Sequence, residues 1–118
     1  MTIAYFALSA LDLLNQLDSK VENEERLGYI DWIYDQQLNE AEGGGFAPGP
    51  YLPKANTETL SGEATPGSRR QGNLAMTYTA IMSLAILKDD FSRLNKSALY
   101  RHLHTLQQND GRYEQFYS

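Results

Sequence analysis

The strongest constraint on what this chain can fold into is a segment that occurs twice. Tyr29, Trp32, Gln36 and Gln37 return as Tyr100, Leu103, Gln107 and Gln108 at one constant offset of 71 residues. Each copy then runs into glycine and an aromatic residue, as Gly43-Gly44-Gly45-Phe46 after the first and Asp110-Gly111-Arg112-Tyr113 after the second. A recurrence of this kind means one supersecondary unit used twice, each copy needing a neighbour to bury its apolar face. The parts identify the unit as helical. Tyr, Trp or Leu sits on the inward face, the glutamine amides reach carbonyls that a helix leaves unpaired at its end, and glycine supplies the left-handed residue that stops it.

Composition supports a folded chain, and the repeated unit makes it an all-α one. With 118 residues and 42% of them apolar there is material for one small core, which excludes disorder throughout. A net charge of −5 and the absence of a Lys/Arg run argue against nucleic acid or an acidic membrane as the main partner. The chain has no cysteine, which removes disulfides, thiol nucleophiles and zinc-thiolate ligation together. Residues 3–14 form an apolar stretch, but no Lys or Arg precedes it, Asp12 interrupts it, and it is too short to span a bilayer. It is expected to be a buried helix in a cytoplasmic protein.

Periodicity predicts four helices in two hairpins. The first covers residues 3–17, with Ile3, Phe6, Ala10, Leu13 and Leu17 on an inward stripe. Asn23 is the expected N-cap of the second, residues 24–37, which turns Leu27, Ile30, Ile33 and Tyr34 inward and packs antiparallel to the first. Between residues 38 and 72 lie all four prolines and seven of the nine glycines, with no surviving period; this reads as a surface insertion within the repeat. The third helix, residues 74–87, is apolar along Leu74, Tyr78, Ile81 and Ala85 and along Ala75, Met82 and Ile86. Asn95 caps the fourth, residues 96–108, which buries Leu99, Leu103 and Leu106.

Little of the chain looks like catalytic chemistry. His102 and His104 stand two apart and point to different helix faces, so they cannot share an ion as an i, i+4 pair does, and they read as surface or partly packed residues. Asp89 and Asp90 have no further carboxylate at ligand spacing and read as a solvated helix end, although acidic residues oppose the dipole there. Gly43-Gly44-Gly45 lacks the strand and the Lys-Ser/Thr of a phosphate loop, which leaves a turn. Thr77, Tyr78 and Thr79 with Phe6 suit either a pocket for a long apolar ligand or simple core packing.

The runs at residues 2–14, 73–80, 87–96 and 106–111 resemble the β subunits of protein geranylgeranyltransferase type I, with Ala75-Met76-Thr77-Tyr78-Thr79 and Asp89-Asp90-Phe91-Ser92-Arg93 the most specific. The resemblance implies part of an α-α barrel, or toroid, of helical hairpins, incomplete in this chain. Hairpins fall at residues 3–37 and 74–108, with a divergent tail at 112–118. It also implies a prenyltransferase α subunit as partner and geranylgeranyl diphosphate as lipid donor. The acceptor is the cysteine of CaaX-terminated proteins such as small GTPases, whose thiolate attacks the first lipid carbon as diphosphate leaves. Zinc is the implied cofactor of the complete subunit.

Carried over by position, Thr2 stands where farnesyltransferases have a tryptophan that closes the cavity floor. Phe6 stands beside the last peptide residue, and Ala75, Met76 and Tyr78 stand on the wall that meets lipid and peptide. Asn73 belongs to the same implied lipid and peptide wall, at a position where the family usually has a histidine that makes a polar contact to the peptide. The family's zinc ligands and its basic diphosphate cluster have no counterpart, so no catalytic or metal residue is assigned and the isolated chain is expected to be inactive. Two alternatives stand beside this reading: a non-catalytic helical interaction module, and a farnesyltransferase β-like fragment, which Thr2 disfavours.

Overall fold

The computed structural model describes residues 1–49 and 71–114. Most of the expected Gly/Pro-rich insertion and residues 115–118 of the expected divergent tail lie outside them. Five helices occur among the described residues: α1 (Thr2–Leu13), α2 (Leu17–Lys20), α3 (Asn23–Asp35), α4 (Leu74–Ile86) and α5 (Lys96–Leu106). No named strand accompanies them, only two isolated antiparallel bridges.

α1 stops four residues earlier than its apolar pattern because Asn15 adopts a left-handed conformation, φ 54°. The Gln16 amide then donates to the Leu11 carbonyl and the Asn15 amide to that of Asp12, pairing orphan carbonyls as in a Schellman cap. α4 ends in the same way. Lys88 takes φ 60°, and Asp89 and Lys88 donate to Leu84 and Ala85. α3 begins one residue before its expected start: Glu22 is the N-cap without a side-chain bond, and Asn23, the expected cap, is the first helical residue. Asn95 does cap α5, its side-chain oxygen accepting from the Ala98 amide at 3.0 Å.

The principal neighbour of α1 is α4. Thr2 meets Met76 and Tyr5 meets Tyr78 near their starts, while Asp18 and Lys88 pair at 3.4 Å beyond their ends, so the two helices run parallel. α3 lies across both. Leu8 and Leu17, Ile30, Ile33 and Tyr34 of α3, and Ala80, Leu84 and Leu87 close one core with Phe46. α1 and α4 thus form one layer of two parallel helices, with α3 packed behind them.

This arrangement inverts the stripe expected for α1. Ile3, Phe6 and Leu13 are 84%, 63% and 81% exposed, and the buried residue is Leu8. Both faces of α1 are apolar, so periodicity marked a stripe without saying which neighbour covered it. On α4 the same ambiguity leaves Tyr78, Ala75 and Ala85 exposed and buries Thr77, Thr79, Ala80, Ser83 and Leu84.

Each long helix of the repeat is followed by a bridge: Gln37 pairs with Phe46, and Gln107 with Tyr113. α3 needs no glycine to end; Gln36 donates its amide to the Trp32 carbonyl at 3.1 Å. Gly43, Gly44 and Gly45, all at positive φ, instead turn the chain back so that Leu38, Phe46 and Ala47 become fully buried. The first residues of the expected surface insertion therefore belong to the core.

Candidate functional site

Two elements position the residues singled out from the sequence. α1 and α4 begin at the same end of the molecule, and Thr2, Phe6, Asn73, Ala75, Met76 and Tyr78 all lie in or beside their first two turns. The Thr2 hydroxyl donates to the Met76 sulfur at 3.5 Å. Tyr5, which the sequence reading passed over, joins the rest: its ring lies 5.7 Å from that of Phe6 and 6.1 Å, edge to face, from that of Tyr78. Tyr78 is 55% exposed and Ala75 is exposed beside it. The neighbouring Tyr5 phenol holds the Tyr78 phenol above its ordinary range.

Asn73 does not share that face. It is buried at the N-cap of α4, its side-chain oxygen accepting from the Met76 amide at 2.8 Å. The cap fixes where α4 starts and so places Ala75, Met76 and Tyr78.

What results is an exposed apolar wall: Ile3, Phe6 and Leu13 on α1 beside Ala75, Tyr78 and Ala85 on α4. Its chemistry is restricted to contact with apolar matter, with one phenol and one hydroxyl as polar handles. The signal that would have found Tyr5 lies in a second internal alignment. Tyr5, Ala7, Leu8, Leu11 and Leu14 recur as Tyr78, Ala80, Ile81, Leu84 and Leu87, 73 residues on. Asn15 and Lys88, the two left-handed caps, obey the same offset.

A polar cluster lies behind the wall. His102 is fully buried rather than partly packed, with Nε2 3.4 Å from the Thr77 hydroxyl oxygen. That oxygen also accepts from the Phe46 amide at 3.1 Å. Desolvation holds the imidazole below its ordinary pKa, opposed by the backbone of Gly43 and Asn73. Its spacing of four from both Ala98 and Leu106, which are buried too, was the available signal. His104 is exposed and stacks on Tyr100 at 6.1 Å.

The donors present do not fit the zinc expected of a complete subunit. The sequence contains no cysteine, and among the described residues no three His, Asp or Glu side chains converge. Asp89 and Asp90 have other duties: Asp89 accepts from the Tyr34 hydroxyl and the Phe91 amide, Asp90 from the Ser92 amide. These bonds explain why two carboxylates stand at a helix end that disfavours them. No helix among the described residues is long and apolar enough to cross a membrane.

Repeated helical hairpins, with parallel first helices in one layer and an exposed apolar wall along them, define a helical-repeat scaffold of the toroid class. The chain belongs to the prenyltransferase alpha-alpha toroid domain family, whose model matches residues 1–118. It is also similar to the geranylgeranyl transferase type-1 subunit beta of Dictyostelium discoideum, 29% identical over an alignment of 110 positions that covers 84% of this chain. The chain spans 31% of that relative's length.

Proposed function

We propose that this chain supplies the first wall of the lipid cavity in a protein geranylgeranyltransferase type I β subunit. The observation that carries the reading is the exposed apolar face shared by α1 and α4, joined by Tyr5 and Tyr78. A prenyl chain gains roughly 25 cal/mol for each Å² of its surface taken out of water, and such a wall is a surface on which that gain is made. Thr2 sets the depth available at the end of the wall, because its small side chain leaves room for a longer lipid. Phe6 and Tyr78 give the wall its aromatic relief and stand where the acceptor peptide's end packs.

On this reading the substrates are geranylgeranyl diphosphate and the cysteine of CaaX-terminated proteins, the partner is a prenyltransferase α subunit, and the setting is the cytoplasm. The 118-residue chain binds lipid without transferring it, since the diphosphate and metal chemistry lies elsewhere in a complete subunit. The test is a Thr2→Trp substitution in a complete β subunit carrying this segment, assembled with its α subunit and offered both lipids in competition. Preference shifts from the geranylgeranyl to the farnesyl donor. An unchanged ratio removes Thr2 from the cavity floor and the reading with it.

A further inference from the structure

We propose that residues 43–47 form a clasp, fastened over His102, that opens by itself when the imidazole takes up a proton. The clasp closes as bare backbone. Gly45 packs against the His102 ring and the Thr77 hydroxyl, each 2.7 Å from where its Cβ would stand. Gly44 lies so near the Ala98 carbonyl of α5 that no side chain fits between them. Gly72, just before α4, comes as near to the Gly44 carbonyl oxygen, 2.7 Å from where its own Cβ would stand. Closed in this way, His102, Leu38, Phe46 and Ala47 are all fully buried.

The fastening runs through one hydroxyl. The Leu38 amide donates to the Gly45 carbonyl at 2.9 Å within the turn, and the Phe46 amide donates outward to the Thr77 oxygen at 3.1 Å. That oxygen faces His102 Nε2 at 3.4 Å. With the ring neutral and its hydrogen on Nδ1, Thr77 accepts from Phe46 and gives its own hydrogen to Nε2, so the chain of three is satisfied. A second ring proton makes Nε2 a donor. The Thr77 hydrogen must then turn away, and one oxygen has to accept from Phe46 and His102 together.

The added charge meets no carboxylate there. Residues 43–47 and 72–77 carry no charged side chain. Glu40 accepts from Ser97 and pairs with Arg101, Glu42 accepts from the Asn39 amide, and Lys96, Arg101 and His104 on α5 are exposed. Backbone groups of Gly43 and Asn73 compensate the charge only in part. A buried charge without a counter-ion is relieved by water. The turn is the part able to admit it, since it is built on three left-handed glycines, whereas Thr77 belongs to a helix packed along α1. The closed clasp binds the proton more weakly than a hydrated ring does, so opening grows as pH falls below the ordinary imidazole value of 6.5.

The test is amide hydrogen exchange by NMR on the 118-residue chain between pH 7.5 and 5, each rate divided by that of an unstructured chain at the same pH. Protection of the Leu38 and Phe46 amides falls by up to about tenfold per pH unit below the ordinary imidazole value, as linkage to one proton requires. The Leu87 and Asp89 amides, bonded to the Ser83 and Leu84 carbonyls at the far end of α4, keep theirs. The His102 ring carbon signals titrate over the same pH range as the Phe46 protection is lost, a comparison made on wild type alone. His102→Gln puts an uncharged amide in place of the ring and makes protection at Leu38 and Phe46 independent of pH. Phe46 protection that is level with pH overturns the proposal, as does a loss shared equally by Leu87 and Asp89, which makes the opening one of the whole fold. A His102 titration at a different pH, or a pH dependence that survives in His102→Gln, overturns it as well.

Discussion

The Tyr34 hydroxyl donates a hydrogen bond to the Asp89 carboxylate, 55 residues along the chain, and so ties the first repeat to the end of α4. The Arg93 guanidinium lies 4.5 Å from the centre of the same ring and pairs with Asp31 one turn earlier on α3. Burial, and then the bond to Asp89, push the Tyr34 phenol well above its ordinary range, so it remains a donor. Hydrogen bonds to charged groups contribute about 1.5–3 kcal/mol. Tyr34→Phe keeps the ring under Arg93 and removes only the donor, and is expected to lower unfolding stability by about 2 kcal/mol in urea titration. An unchanged midpoint denies the hydroxyl any part in joining the repeats.

Gly45 is where the turn after α3 meets the polar cluster of the second repeat. A Cβ built there falls 2.7 Å from the His102 ring and 2.7 Å from the Thr77 hydroxyl, and φ is +75°. A left-handed non-glycine residue costs on the order of 1–3 kcal/mol, and overpacking a buried site adds roughly as much. Gly45→Ala is therefore expected to destabilise by about 2–6 kcal/mol. Gly111→Ala, also left-handed but with nothing within 4 Å of its Cβ, isolates the backbone part. Equal losses in the two variants sink the steric argument.

Asn73 tests the difference between a peptide contact and a cap. Its side-chain oxygen is spent on the Met76 amide. Replacing an Asn cap by Ala costs about 1 kcal/mol, whereas Asp keeps the acceptor and adds a charge that the helix N-terminus favours. Thermal melts are expected to rank wild type and Asn73→Asp together, above Asn73→Ala. A neutral Asn73→Ala shows that the start of α4 is fixed by packing alone.

How much of this was legible in the sequence follows from what periodicity measures. The four long helices and the Asn95 cap were readable because each carries a local signal. The face of α1 was not, since Ile3, Phe6 and Leu13 are as apolar as Leu8 and only the position of α4 decides which is covered. α2 escaped because Asn15 ends α1 through a left-handed conformation that few residues adopt and no period announces. Of the site, the positions of Thr2, Phe6 and Tyr78 came from resemblance, and their meeting rests on Tyr5, visible only when α1 is aligned with α4. His102 was passed over because a histidine is commonly exposed; here two repeats supply a hydroxyl and backbone groups that satisfy it.

That buried imidazole makes stability depend on pH in a definite direction. Desolvation lowers the folded pKa of His102 beneath its ordinary 6.5, so the native state holds it neutral where the unfolded chain has begun to protonate. Above pH 6.5 neither state binds the proton and the full stability is present. Below it the unfolded chain binds more protons, so stability falls with pH until the folded pKa is reached and levels off beneath it. Urea midpoints measured between pH 7.5 and 5 are therefore expected to decline in wild type and to stay level in a His102→Gln variant, which keeps a polar group facing Thr77. A decline of the same size in both assigns the loss to other groups and leaves His102 a packing residue only.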